Sequence, residues 1–367
     1  MNIMVKVLNI MTGGLNREGI TTTQLEYMKH MDMNKIEMHI ASVYPAERDV
    51  IEEFEKYGCR VIKFPVRSSK LLTYMIFLYR LIKKEKYDVI HVHGSSSLMA
   101  IELITAKAAG VKKRIAHSRN TMCLNEKANK FMRPFFDRSY NVALACGKDA
   151  GKWLFGNKKF IIFHNGKDFE KFKFNESIRE KVREKMDIKD RKVIGFVGNL
   201  VDQKNPFFLL DCFQKICLEC ENSILIIVGE GELRAKMEKK VDELCIKDKV
   251  IFTGRIKNVN EIVQAFDLAL LPSKYEGLPN VVLEWQCAGL QCLVSDKVTD
   301  ECKCTELVTF LPINQGTMIW KKFIDLKLKE TTDRVEQSKN ACIELSENGF
   351  EIVKSVKKME DIYLNRE

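Results

Sequence analysis

The stretch "YEGLPNVVLE" (275–284) places Glu276 just before a Gly-Leu-Pro turn and Glu284 eight residues further on. Proline at 279 and apolar residues at helical spacing behind it predict a helix start. The backbone N–H groups of Gly277, Leu278 and Asn280, around Pro279, would face an anion such as a phosphate, drawn there also by the helix dipole. A carboxylate beside a phosphate suits hydroxyl recognition rather than charge balance. Glu276 is therefore placed to bind hydroxyls, and Glu284 can reach a diol as an acid does to ribose in the dinucleotide fold. Taken alone, the stretch also fits two solvated glutamates at an ordinary loop-helix junction.

The flanking elements set this pattern at one end of a sheet. "FDLALLP" (266–272) reads as a buried parallel strand and "LQCLVSD" (290–296) as the next, with Gly289 stopping the helix between them. Open α/β sheets bind ligands at the carboxyl ends of their strands, which is where this loop falls. The same alternation recurs along the chain. Strands are expected at "VKVLNIM", "EMHIASV", "CRVIKFP", "DVIHVHG", "KRIAHS", "NVALAC" and "KFIIFHN", then at "KVIGFVG", "SILIIVG", "KVIFTG", "DLALLP" and "QCLVSD", with helices between. The expected fold class is α/β, with two doubly wound, Rossmann-like domains at 1–175 and 176–345 and a terminal helix, 346–367, packing back across the junction. The charged stretch "EKFKFNESIREKVREKMDIKDRK" lies near the boundary as a linker and opening helix.

The 367 residues, 46% hydrophobic, suffice for two cores. No apolar run approaches a membrane span, and the first residues lead into a strand, so a cytoplasmic protein is expected. Twelve cysteines, many within apolar patterns, suit reduced buried thiols. "CLEC" (217–220) and "CKC" (302–304) lack well-spaced partners, and no metal site is expected. The net charge of +10 is uneven: residues 1–175 hold 30 Lys and Arg against 17 Asp and Glu, the remainder 30 against 33. These charges lie on helices and loops without an aromatic-basic motif, which argues against nucleic acid.

Six motifs in order resemble the retaining glycosyltransferases of the GT-B fold, family 4: "HVHG" (91–94), "FHNGKDFEKF" (163–172), "GFVGNLVDQKNP" (195–206), "VGEGEL" (228–233), "FTGR" (252–255) and the Glu-x7-Glu signature in "EGLPNVVLE". The resemblance spans nearly the whole chain and implies two domains facing a cleft that holds a nucleotide sugar, with the second domain as its main anchor. It implies that Glu276 touches the sugar and Glu284 the ribose, with the amides of Gly277 to Asn280 on the sugar and diphosphate. Lys204 would neutralise the diphosphate as the glycosidic bond breaks. Asn199 stands where many relatives have arginine, which removes a cation and puts more weight on Lys204. Arg255 matches the position beside the base, with uracil implied over guanine.

In "MTGGLNREGITTTQLEYM" (11–28), Gly19 matches the glycine that lets backbone approach donor phosphate or acceptor; a plain strand-helix turn explains it equally well. Period two puts His91 and His93 on one face of a strand. His91 reads as a core histidine. His93 is either another or the residue directed at the donor sugar, and His117 could line the acceptor side.

The implied reaction moves a hexose or N-acetylhexosamine from a UDP-sugar to a hydroxyl with retention of configuration, without a metal or other cofactor. The acceptor is a growing glycan or lipid-linked glycan of cell-surface polysaccharide, with peripheral contact at the inner membrane face. The apolar segment "LLTYMIFLYRLIKKEKY" (71–87) either touches lipid or packs on its sheet. Two rivals stand beside this: a UDP-sugar epimerase of similar fold, and a non-catalytic nucleotide-sugar-binding assembly protein.

Overall fold

The computed structural model describes residues 4–16, 19–44 and 46–365. It divides into two compact units, one running up to Lys167 and resuming at Gly349, the other Asp168–Asn348. The division lies ahead of the expected boundary near 175 because residues 168–175 are tied to the second unit. Phe174 N–H donates to Ser338 Oγ at 2.9 Å and Asn175 N–H to Gln264 Oε1 at 3.2 Å.

The first unit holds a seven-stranded parallel sheet of β1 (Val5–Met11), β2 (Ile36–Ser42), β3 (Arg60–Lys63), β4 (Val89–Gly94), β5 (Lys113–Ser118), β6 (Val142–Ala145) and β7 (Ile161–Ile162), in the order β3-β2-β1-β4-β5-β6-β7. Its central strands β1, β2, β4 and β5 are largely buried on both faces because helices cover both. Leu8, Ile10, Ile90, Val92 and Ala116 pack with Tyr74, Leu78 and Leu103 on one side. Val7, Met11, Val89 and Ile115 pack with Leu25, Phe54, Val356, Met359 and Tyr363 on the other. Each such aliphatic contributes about 1.5–3 kcal/mol on burial. The closing helix Ile352–Leu364 thus completes the core of the first unit, meeting the helix Gly19–His30 and β1.

The second unit holds six parallel strands, β8 (Lys192–Val197), β9 (Ser223–Val228), β10 (Val250–Gly254), β11 (Leu268–Leu271), β12 (Cys292–Ser295) and β13 (Val308–Leu311), in the order β10-β9-β8-β11-β12-β13. The last strand was not expected from sequence: "VTFL" is short, sits at the sheet edge and is fully buried at only two of its four residues. Both sheets reverse their winding once, between β1 and β4 and between β8 and β11. Those two points are where this class of sheet opens a crevice at its carboxyl edge.

Candidate functional site

At the switch point of the second sheet, the loops after β8 and β11 are fastened to each other. Lys204 Nζ and Glu276 Oε1 form an ion pair at 2.5 Å, with side chains 16% and 10% exposed. Gln203 Nε2 donates to Tyr275 O at 3.0 Å and to Glu276 Oε2 at 3.3 Å, and Lys274 N–H donates to Gln203 O at 2.8 Å. The backbone of Glu276 bridges in parallel to Val298. The helix Asn280–Cys287 follows, with Pro279 as its N-cap and Gly289 at φ +60° ending it, as the sequence predicts. Gly277, Leu278 and Pro279 are buried, Asn280 is half-buried, and Glu284 is half-buried one turn into the helix. An ammonium and a carboxylate thus meet at one sheet edge, ahead of the first turn of the helix that carries Glu284.

Two glycines explain how the loop carrying Asn199 and Lys204 reaches this place. Gly229 has φ +140°, and a Cβ there would lie 2.0 Å from Gly198 O. One at Gly231 would lie 2.4 Å from Leu200 O. Leu200 N–H donates to Glu230 O at 2.9 Å, so the loop after β8 rests directly on the glycine loop after β9. Asn199 is half-buried within it. Arg255 is exposed just past β10, while Arg234 lies over the Phe252 ring at 4.6 Å.

The first sheet gathers a second set of groups at its own switch point. Asn9, His91, His93 and His117 sit on β1, β4 and β5 and share one face, as period two requires. The rings of His91 and His93 are stacked 4.0 Å apart, and all three histidines are fully buried. His91 Nδ1 meets Tyr363 Oη at 2.7 Å and His91 Nε2 meets His117 Nδ1 at 3.0 Å. His93 Nδ1 accepts from Arg119 Nε at 3.1 Å and Nη2 at 2.9 Å, which leaves its proton on Nε2 to donate to Asn9 Oδ1 at 2.5 Å. Sequence reading leaves His93 as either a core histidine or the residue directed at the donor sugar; here both its ring nitrogens are engaged by protein. Burial, and then the Arg119 charge and the neighbouring rings, hold the three histidines well below the ordinary range, so they stay neutral.

His117 supplies the third ring that the sequence did not join to the pair, and nitrogen atoms of the three lie within 4.8 Å of one another. A neutral imidazole offers one lone pair. That of His93 is taken by Arg119, and one more is used between His91 and His117. As arranged, at most one nitrogen remains to coordinate a metal. Gly19 opens the helix Gly19–His30 and is exposed. Sequence reasoning missed Arg119, Asn9 and Gln203; the signal for Arg119 was its place in "AHSRN", directly after a strand at the carboxyl edge.

Residues 18–165 match the family model "Glycosyl transferase 4-like" and residues 178–303 match "Glycosyl transferases group 1", so that the two together span most of the chain. The chain belongs to the GT-B glycosyltransferases of the family 4 type, and its activity is glycosyl transfer. It is 29% identical over 335 residues to EpsF of Bacillus subtilis, named as a glycosyltransferase, covering 87% of this chain and 86% of the relative. It is also 29% identical over 328 residues to the UDP-Gal:alpha-D-GlcNAc-diphosphoundecaprenol alpha-1,3-galactosyltransferase of Escherichia coli, covering 84% and 82%. The fold matches Anabaena HepE, solved in complex with UDP, with a TM-score of 0.81 and 14% identity over 98% of this chain and 100% of that one. Such relatives disfavour both the epimerase and the non-catalytic reading.

Proposed function

We propose that the enzyme transfers a hexose or N-acetylhexosamine from a UDP-sugar to a hydroxyl of a glycan or lipid-linked acceptor, with retention and without a metal. The Lys204–Glu276 pair at the β8/β11 switch point carries this reading. A free ammonium is a point charge suited to a diphosphate, and a carboxylate beside it suits sugar hydroxyls. When donor arrives, the ammonium turns to the diphosphate and Glu276 is released to the sugar. Glu284 takes the ribose diol, the amides from Gly277 to Asn280 meet the sugar and diphosphate, and Asn199 lies beside the leaving group. Arg255 lies by the base, with uracil preferred, and Gly19 allows close approach in the first unit, which binds acceptor. The UDP in the HepE structure and the diphosphoundecaprenol in the Escherichia coli relative's name support donor and acceptor class.

No strong covalent nucleophile is needed if UDP leaves and the acceptor attacks the same face; the protein then works by positioning and charge stabilisation. Lys204→Ala should lower kcat by about 10²- to 10³-fold, the usual cost of losing one preorganised donor. A near-wild-type rate would remove Lys204 from the mechanism. Calorimetry with UDP and GDP tests the donor: tighter binding of UDP than of GDP by wild type, with UDP affinity falling at least tenfold in Glu284→Ala, supports the reading, and no nucleotide binding by wild type overturns it.

We place the enzyme at the cytoplasmic face of a membrane. Among the described residues no helix is long and apolar enough to cross one. The helix Leu71–Glu85 leaves Leu72, Ile76 and Tyr79 exposed, and the helix Glu126–Phe136 leaves Phe131 and Phe135 exposed. Both pack against the helix Ala100–Ala108, and exposed Lys83, Lys84, Lys127 and Lys130 stand on them. Apolar side chains with lysines among them fit an anionic lipid surface. Co-sedimentation with phosphatidylglycerol vesicles should be lost in Leu72→Asp/Phe131→Asp; wild type that stays in solution excludes the contact.

A further inference from the structure

Arg119 stands directly after β5, half-buried, its backbone N–H donating to Gly94 O at 3.0 Å. A guanidinium has five N–H donors. Two of them, on Nε and Nη2, aim at the same atom, His93 Nδ1, and one on Nη1 donates to Asn165 Oδ1 at 2.6 Å. One N–H on Nη1 and one on Nη2 are left over, and no carboxylate among the described residues pairs with the charge. Both acceptors are themselves fixed. His93 is fully buried and bonded to Asn9, which donates to Gln24 Oε1 at 3.1 Å; Asn165 is 7% exposed. Everything that touches the guanidinium is neutral.

A cation withdrawn from water and held only by neutral groups is costly without a counter-charge. The same fork, held rigid with two N–H bonds to spare, is the arrangement that binds an oxyanion in bidentate fashion. Its place at the β1/β4 switch edge, beside the Gly94 backbone, is where a ligand of this sheet would lie. A Cβ at Gly94 would come 2.7 Å from Thr12 Oγ1, so this edge is built to bring two loops close.

We propose that Arg119 is an oxyanion subsite that takes phosphate oxygens of a substrate, with His93 and Asn165 as its positioning residues. The identity of that substrate rests on the glycosyltransferase reading above. The phosphate belongs either to the acceptor or to the donor, and the chemistry of capture is the same for both. His93 then serves the reaction through Arg119: its Nδ1 lone pair orients the fork, and its Nε2 proton is pinned by Asn9.

The test uses the full chain and two titrations, inorganic pyrophosphate in the presence of saturating UDP and UDP alone, on wild type, Arg119→Met and Arg119→Lys. If the phosphate comes from the acceptor, wild type binds pyrophosphate on top of UDP. Arg119→Met then loses at least tenfold in that affinity while UDP affinity stays the same. If it comes from the donor, UDP affinity itself falls at least tenfold in Arg119→Met. Arg119→Lys keeps the charge, loses the fork and falls between, which guards against a methionine variant that folds poorly. Unchanged affinity for both ligands in Arg119→Met overturns the subsite. Failure of wild type to bind UDP would instead sink the donor reading, and the pyrophosphate titration would still decide Arg119.

Discussion

Both units bury arginines near a sheet edge, and they treat them in opposite ways. In the second unit Arg179, Arg183 and Arg334 converge on Asp267 and on the carbonyls of residues 263–266. Arg179 Nη2 pairs with Asp267 Oδ1 at 2.5 Å and Arg183 Nη1 with Oδ2 at 3.3 Å. Arg334 spreads its three nitrogens over the carbonyls of Val263, Gln264, Phe266 and Ala288, with its guanidinium 4.4 Å from the Phe174 ring. Arg183 spends all five donors on backbone oxygen and a carboxylate, and Arg179 and Arg334 spend three and four on the same set. In the first unit Arg119 meets an imidazole and an amide and keeps two donors back. A buried cation answered by a carboxylate and by backbone oxygen is holding the chain together; one that donates only to an imidazole and an amide, with no counter-charge, is positioned for something that arrives.

The largest effect that separates the two is on stability. Asp267→Ala strands Arg179 and Arg183 and should cost about 3–5 kcal/mol, as removal of one partner from a buried pair does. Arg119→Met should leave the urea midpoint unchanged or raise it, because it removes an uncompensated charge. Equal destabilisation by both would erase the distinction.

Acid should part the units next. Histidines held below their unfolded pKa of 6.5 bind protons more readily when unfolded, so their stability is present above pH 6.5 and lost as pH falls below it. Each contributes a slope of up to about 1.4 kcal/mol per pH unit. Burial pushes the Asp267 carboxyl up, but Arg179, the Val193 amide and Arg183 outweigh it and leave its pKa lowered. Its contribution is therefore present above the unfolded value of 3.8 and lost only below it. Amide exchange at pH 5 should show β1, β4 and β5 loosened while β8 and β11 remain protected; simultaneous loosening would refute the two windows.

Two smaller effects concern the loop bearing Lys204. Gly229→Ala forces a Cβ against Gly198 O and should weaken UDP binding through about 1–3 kcal/mol of backbone strain. Asn199→Arg installs a guanidinium without a carboxylate partner at the proposed diphosphate site. The gain should be about 1 kcal/mol, roughly fivefold in UDP affinity, read by calorimetry.

Most of the fold was legible because parallel strands covered on both faces leave continuous apolar runs, and twelve of the strands stand out in that way. The edge strand β13 does not, since half of "VTFL" needs no burial. The Glu276 loop was legible from a short local pattern, and so was the His91/His93 pairing from period two. The union of Lys204 with Glu276, and of Arg119 with His93 and Asn165, depends on which strands become neighbours at the switch points. Sheet order links residues 72 and 46 positions apart in the chain, and no local spacing encodes that.

The closing helix has a consequence for how the molecule is made. Tyr363 reaches His91 across 272 residues of sequence, and Ile352, Val356 and Met359 fill the core beneath β1. The second unit is therefore an insertion within the first. A ribosome delivers all of Asp168–Asn348 before it delivers the helix that seals the first sheet. The first unit is therefore finished only after the second has been delivered, and its histidine layer lacks the Tyr363 hydroxyl until then.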